Sequence, residues 1–204
     1  LTTGAGNVAA GYEAGDNLDG GSYNTLLGYQ ALSAEDGHGY NVAVGYQALL
    51  VQNAGADVGN VAVGYQAGKA ITTGARNLAI GQGAMDSLTQ GDDNIAIGID
   101  ALGTMAATDG NDKNIAIGSY ALANAGASSN VASANVAIGY SAGVQVTTGD
   151  NNVLLGSLAG DALTTGSGNV ALGYAALSSD DTVSDTVVIG RAACNATMTT
   201  DADG

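Results

Sequence analysis

The stretch Asn-Val-Ala-Val-Gly-Tyr-Gln-Ala occupies residues 41–48 and recurs unchanged at residues 60–67. Looser copies run the length of the chain. Aligned on the central glycine there are eleven: Gly11, Gly28, Gly45, Gly64, Gly81, Gly98, Gly118, Gly139, Gly156, Gly173 and Gly190. The steps between them are 17, 17, 19, 17, 17, 20, 21, 17, 17 and 17 residues. Four places before each glycine stands an asparagine, from Asn7 and Asn24 to Asn169, with Thr186 in the last copy. Three places after each stands an alanine, from Ala14 to Ala193. Asn41, Gly45 and Ala48, then Asn60, Gly64 and Ala67, then Asn94, Gly98 and Ala101 show the pattern at its clearest. A period of this size predicts a solenoid, with one structural unit per repeat.

Three apolar residues separate the Asn from the Gly, as in Val42-Ala43-Val44 and Ile95-Ala96-Ile97. Alternate side chains of a strand point to opposite faces, so the branched pair shares one face and the central residue takes the other. That central residue is Ala in eight copies and Leu26, Leu154 or Val188 in the rest. A strand apolar on both faces is covered on both. One face is expected to fill the coil, and the small alanines suit close approach by a neighbouring chain. The returns Leu1-Thr2-Thr3-Gly4, Ile71-Thr72-Thr73-Gly74, Val146-Thr147-Thr148-Gly149 and Leu163-Thr164-Thr165-Gly166 suggest a second strand and a second turn. The expected fold is all-β, a parallel β-roll of about eleven coils over residues 1–194, with 195–204 a tail or junction. The recurring glycine predicts positive φ or close backbone approach. The asparagines, which tolerate left-handed conformations, could stack as an amide ladder.

Composition limits what such a coil can do alone. The chain has 204 residues, 33 Gly, no Pro, Trp or Phe, and a formal charge of −15. Its apolar residues are mostly small, so burial inside one thin coil leaves much of the ordering entropy unmet. Other copies of the chain are the expected source of further burial. Lys69, Arg76, Lys113 and Arg191 are the only basic residues and form no patch, which excludes nucleic acid and anionic lipid as partners. Acidic residues such as Asp16, Asp19, Asp92, Asp93, Asp180 and Asp181 fall between motifs and read as a solvated surface. They lack the spacing of calcium-binding nonapeptide coils. No apolar run is long enough to cross a membrane, and the start of the chain within a repeat, without Met, suggests a portion of something longer.

Catalytic constellations are sparse. His38 is the sole histidine and sits between Gly37 and Gly39, with no nucleophile elbow for a triad. Metal sites need several nitrogen or sulfur ligands, and none cluster in this sequence. The carboxylates read as exposed loop, with no aromatic cleft for glycoside hydrolysis. No cofactor is expected. Cys194 replaces Leu or Met of other copies and reads as a small buried hydrophobe. Tyrosine follows the glycine at Tyr12, Tyr29, Tyr46, Tyr65, Tyr140 and Tyr174, as a packing file or a sugar platform.

The longer steps add their residues after the Ala and before the next Asn, within 49–59, 102–113 and 122–134. Insertions in a solenoid map to one edge, often the binding edge. Candidate receptor-contacting residues are Asn53, Asp57, Asp109, Asn111, Asn124, Ser128 and Asn130. The two later insertions follow successive glycines and should lie side by side.

Asn-x-Ala-Ile/Val-Gly-x-x-Ala with apolar-Thr-Thr-Gly returns resembles the head repeats of trimeric autotransporter adhesins. It is more similar still to the Gly-Tyr-Gln-Ala-Leu repeats of phage tail-fibre-like proteins. The resemblance covers about residues 1–194 and implies a left-handed, homotrimeric β-roll. It further implies an extracellular place, on a virion or a bacterial surface, and a structural or adhesive role toward a cell-surface glycan or protein. The Asn stands one residue nearer the Gly than in adhesin heads, and Ala replaces their final Ser, so collagen binding does not carry over. A polysaccharide-degrading viral spike is the enzymatic alternative.

Overall fold

The computed structural model describes residues 4–35, 37–105, 110–126 and 131–194. The Leu1-Thr2-Thr3 return, Asp109, Ser128, Asn130 and the 195–204 segment lie outside the described residues. Eleven three-residue strands follow one another: β1 (Val8–Ala10), β2 (Thr25–Leu27), β3 (Val42–Val44), β4 (Val61–Val63), β5 (Leu78–Ile80), β6 (Ile95–Ile97), β7 (Ile115–Ile117), β8 (Val136–Ile138), β9 (Val153–Leu155), β10 (Val170–Leu172) and β11 (Val187–Ile189). Each pairs in parallel with the next, so a single sheet runs β1 to β11 in chain order. The register is constant: Val42 lies beside Val61, Ala96 beside Ala116, Leu172 beside Ile189. The chain is thus an all-β parallel solenoid. Each coil takes the number of its strand.

Which face points inward corrects the sequence expectation. The central residues Leu26, Ala43, Ala62, Ala96, Ala116, Ala137, Leu154 and Ala171 are fully buried. The flanking Val, Ile and Leu residues of β3 to β7 are half-buried, and Val8, Leu27, Ile138, Leu172, Val187 and Ile189 are exposed. The alanines therefore line the interior, and the bulky branched side chains form the outer face. Volume is the reason. Coils 1 to 10 each also send in a residue four places after the glycine (Leu32, Leu49, Met85, Leu102, Leu122 or Leu177) or seven places after it (Leu18, Ile71, Leu88, Met105, Val146 or Leu163), and coils 5 and 6 send in both. Little more than a methyl group fits beside them. Where the fourth place is Gly15, Gly143 or Gly160, a larger strand residue, Leu26 or Leu154, fills the gap, and its methyl carbons lie within 3 Å of where a side chain on that glycine would begin.

The second strand expected at the Thr-Thr returns does not form. Residues 72–73 bend, and the backbone N–H groups of Thr72, Thr73 and Gly74 all donate to one carbonyl, Thr89 O. Thr147 and Thr148 converge on Thr164 O in the same way, and Thr164 and Thr165 on Asp181 O. Among the described residues there is one strand per coil, and corners replace the other. Three corners carry left-handed residues: the one before the Asn (Tyr40, Arg76, Lys113), the second after the Gly (Gln47, Asp100, Tyr120) and the fourth after the Gly (Leu49, Leu102, Leu122). Their N–H groups bond to adjacent coils, as in Gln47 N to Tyr29 O and Leu49 N to Ala67 O. Such φ values cost an L-residue energy in isolation; in this coil the intercoil bonds over-determine them.

The recurring Asn and Gly hold the coils together. Each asparagine Oδ1 accepts the backbone N–H of the asparagine one coil on, from Asn7 to Asn24 at 2.8 Å through to Asn169 to Thr186 at 3.1 Å. The side-chain amide Nδ2 of most of them donates to the return segment, as from Asn60 to Gly74 O and from Asn135 to Gly149 O. Asn41, Asn60 and Asn94 are fully buried. The ladder is present, but the left-handed residue is usually the one before the Asn, not the Asn itself. Asn41 Nδ2, in the first coil with an insertion, is buried without a partner. The glycines have φ near 127–143°, and a Cβ on Gly45, Gly64 or Gly98 would lie closer than 3.0 Å to the backbone of the next coil's glycine. Ala48, Ala67 and Ala101 are fully buried behind this turn.

Candidate functional site

The outer face of the sheet is an apolar surface only half covered by the chain itself, and exposed toward its ends. Its positions are the first and third residues of every strand, and Thr25 is the only polar one among them. Two tyrosine files adjoin it. Tyr12, Tyr29, Tyr46 and Tyr65, just after the glycines, stack at 5.2–5.3 Å with interplanar angles of 8–10°. Tyr23 and Tyr40, just before the asparagines, stack at 5.3 Å and 20°; that second file was not read from the sequence. The rings cover one another's faces, leaving edges and hydroxyls outward. A sugar ring stacks on an aromatic face, so this geometry favours packing over a sugar platform. The file then breaks at Gln82, Ile99 and Ser119, and Arg191 caps its far end over the Tyr174 ring at 5.6 Å.

Beside the first file runs an amide ladder. Gln30 donates to Glu13, Gln47 to Gln30 and Gln66 to Gln47, at 2.7–2.9 Å. The hydrogen bond to Glu13 and its charge hold the Tyr12 phenol above its ordinary value. The ladder stops at Gly83, which occupies the same register without a side chain.

There the surface opens into a groove of about 430 Å³ across coils 5 to 8. It is lined by Asp86 and Ser87, Asp100, Gly103 and Thr104, Tyr120, Ala123 and Asn124, and Val144. Asp100 Oδ1 and Asp86 Oδ2 both lie within 4.0 Å of the point where a Gly83 side chain would begin. Burial, reinforced by the Asp100 charge, raises the Asp86 carboxyl above its ordinary value, against the Ser87 hydroxyl and the Lys69 charge. This corrects the reading of every carboxylate as exposed loop; the groove's one aromatic residue is Tyr120. The signal was hidden because each coil contributes only one to three residues, at a shared register.

The receptor candidates scatter. Asn53 and Asp57 are exposed in the first insertion, and Asp57 Oδ1 accepts the Gly39 N–H at 2.8 Å. Asn111 does not reach the surface. It is fully buried, its Oδ1 accepting the Ala132 N–H at 2.9 Å and its carbonyl the Asn94 amide at 2.8 Å. Asn124 is half-buried at the groove, with Thr104 Oγ1 3.0 Å from its Oδ1. The start of the two later insertions does lie side by side, through Thr104 N to Ala123 O at 2.8 Å.

His38 is not on a free loop. Its Nδ1 lies 2.9 Å from Glu35 Oε1, which also accepts the backbone N–H groups of Gly37 and His38. Glu35 is fully buried at a register held by Leu18 and Ile71 in other coils, and Gln52, next in that column, donates to its Oε2 at 3.3 Å. Arg76 clamps Asp93 and Asp92 at 2.6 and 2.9 Å on the surface, which holds the Asp93 carboxyl below its usual range. Cys194 is only partly buried.

Comparison with family models, with curated proteins and with solved structures returned no match to this chain.

Proposed function

We propose that this chain is a rod-forming segment of an extracellular fibre, a left-handed solenoid that assembles as a homotrimer and serves attachment to a cell surface. The observation that carries the reading is the outer sheet face: an apolar strip running through all eleven coils of a chain that otherwise carries a charge of −15. Apolar strips of this length on a soluble surface mark interaction sites. A second and third copy of the same chain fit best, because the strip repeats every coil and only an identical rod matches its period along the whole length. Symmetric closure then removes the exposed face without leaving a free one. The repeat resemblance supports the trimer and the tail-fibre setting over a bacterial adhesin head, through the Gly-Tyr-Gln-Ala-Leu form at Gly45. The groove at Asp86 and Asp100 keeps the polysaccharide-degrading spike as a second reading, since paired carboxyls are that chemistry's requirement.

Negative-stain electron microscopy of the purified chain tests the assembly. With about 4.8 Å per coil, the reading expects rods on the order of 50 Å long with threefold end views. Single thin rods, or a twofold sandwich, would contradict it.

A further inference from the structure

We infer that the groove between Asp86 and Val144 is a binding site for a neutral hexose or N-acetylhexosamine ring of a glycan. This deepens the attachment reading and rests on it for its biological purpose, though every lining residue belongs to one chain.

The groove is a specific interruption of a regular surface. In coils 1 to 4 the second residue after the glycine is Glu13, Gln30, Gln47 or Gln66, and those side chains bond to one another along the rod. At coil 5 the same register is Gly83, and at coil 6 a shorter carboxylate, Asp100, leans into the vacated space. At coil 7 it is Tyr120. A flat ladder thus gives way to a hollow with one acid wall and one aromatic wall. Gly103, also without a side chain, deepens the hollow between them. Its volume falls within the ~300–1,000 Å³ of small-ligand sites.

The groups lining the groove suit a polyhydroxylated ring. Asp86 and Asp100 both line the groove, with Asp86 Oδ2 and Asp100 Oδ1 within 4.0 Å of where a Gly83 side chain would begin. Ser87, Thr104 and Asn124 add donors and acceptors, the Thr104 hydroxyl lying against both Ala123 O and Asn124 Oδ1. Ala123, Val144 and Tyr120 give an apolar wall for the ring's C–H face. Tyr120 meets Tyr140 edge to face, 6.0 Å apart at 85°, in place of the parallel stacking that covers the other tyrosine file. Charge narrows the class further. Two carboxyls and a chain charge of −15 repel sialylated, sulfated or phosphorylated glycans.

The test is binding of the purified full chain to an array of neutral hexose- and N-acetylhexosamine-containing oligosaccharides, with sialylated and sulfated members as controls. The wild type should bind neutral members selectively. Asp100→Asn and Tyr120→Ser should each lower binding at least tenfold with unchanged far-UV circular dichroism. Both changes are mild for the fold: one is isosteric, and the other installs the residue found at the same register in Ser141. Binding confined to acidic glycans, binding unaffected by either variant, or no binding would overturn the inference. So would release of reducing sugar from a bound oligosaccharide, which would make the groove hydrolytic. A blank array with wild-type adhesion to whole cells intact would defeat this groove alone; loss of both would defeat the attachment reading too.

Discussion

The recurring glycine and asparagine act through different physics, and single substitutions separate them. At Gly64 the obstacle is steric, since any Cβ would press on the backbone of Gly81 in the next coil while φ stands at 143°. Gly64→Ala should destabilise by several kcal/mol, as expected of strain at a special backbone position. At Asn77 the issue is satisfaction. Its Oδ1 accepts the Asn94 N–H, and its Nδ2 donates to Gly91 O. Asn77→Ala leaves a buried donor and acceptor unpaired, at about 1–3 kcal/mol each. Thermal melts should therefore show both variants clearly below the parent. A melting temperature within a degree or two of wild type would refute the steric role of Gly64 or the ladder role of Asn77, whichever variant showed it.

Asp161 offers a pH test at the same scale. Its Oδ1 is buried without a partner, and burial raises its carboxyl above the ordinary value near 3.8. A raised folded-state value means stability that is full below the ordinary carboxylate range and declines as pH rises through the raised one. Asp161→Asn should thus raise the melting temperature at pH 7 and change it little at pH 3. An equal shift at both would rule out ionisation as the cause.

At the level of the strand, alternation showed two apolar faces, but reading the small alanines as the outward one was wrong. Which face lies inside depends on side chains four or seven residues past the glycine, which share the interior and favour Ala at the strand centre, with Leu26 and Leu154 standing where Gly15, Gly143 and Gly160 leave space. The Thr-Thr returns misled for a related reason. Their β-branched composition favours strand locally, but converging bonds onto Thr89 O and Thr164 O impose bends. The period, the Asn ladder and the turn glycine were legible because each repeats at one register. The groove was not, because no single repeat contains it. This assignment of faces changes what substitutions should do. Ala96→Asp places a charge inside the coil and should abolish folding, as an unpaired buried charge costs several kcal/mol. Ile97→Asp places it on the half-buried outer face, so the coil should fold with a normal circular dichroism spectrum yet fail to assemble. The opposite pattern would return the alanines to the outside.

For the whole molecule, the outer face is decisive. Eleven strands of three residues, at roughly 3.3 Å per residue and about 4.8 Å between strands, form a strip of roughly 500 Å². Covering it is worth on the order of 10 kcal/mol per chain, to be set against the cost of association, which is of similar size. In the proposed trimer the acidic corners would discourage further lateral clumping. Sedimentation equilibrium of the wild-type chain at micromolar concentration is the direct measurement. The expected result is a single species of three times 19.7 kDa, falling to the monomer mass in Ile97→Asp. A folded wild-type monomer at 19.7 kDa would contradict the assignment of this face as an interface between copies.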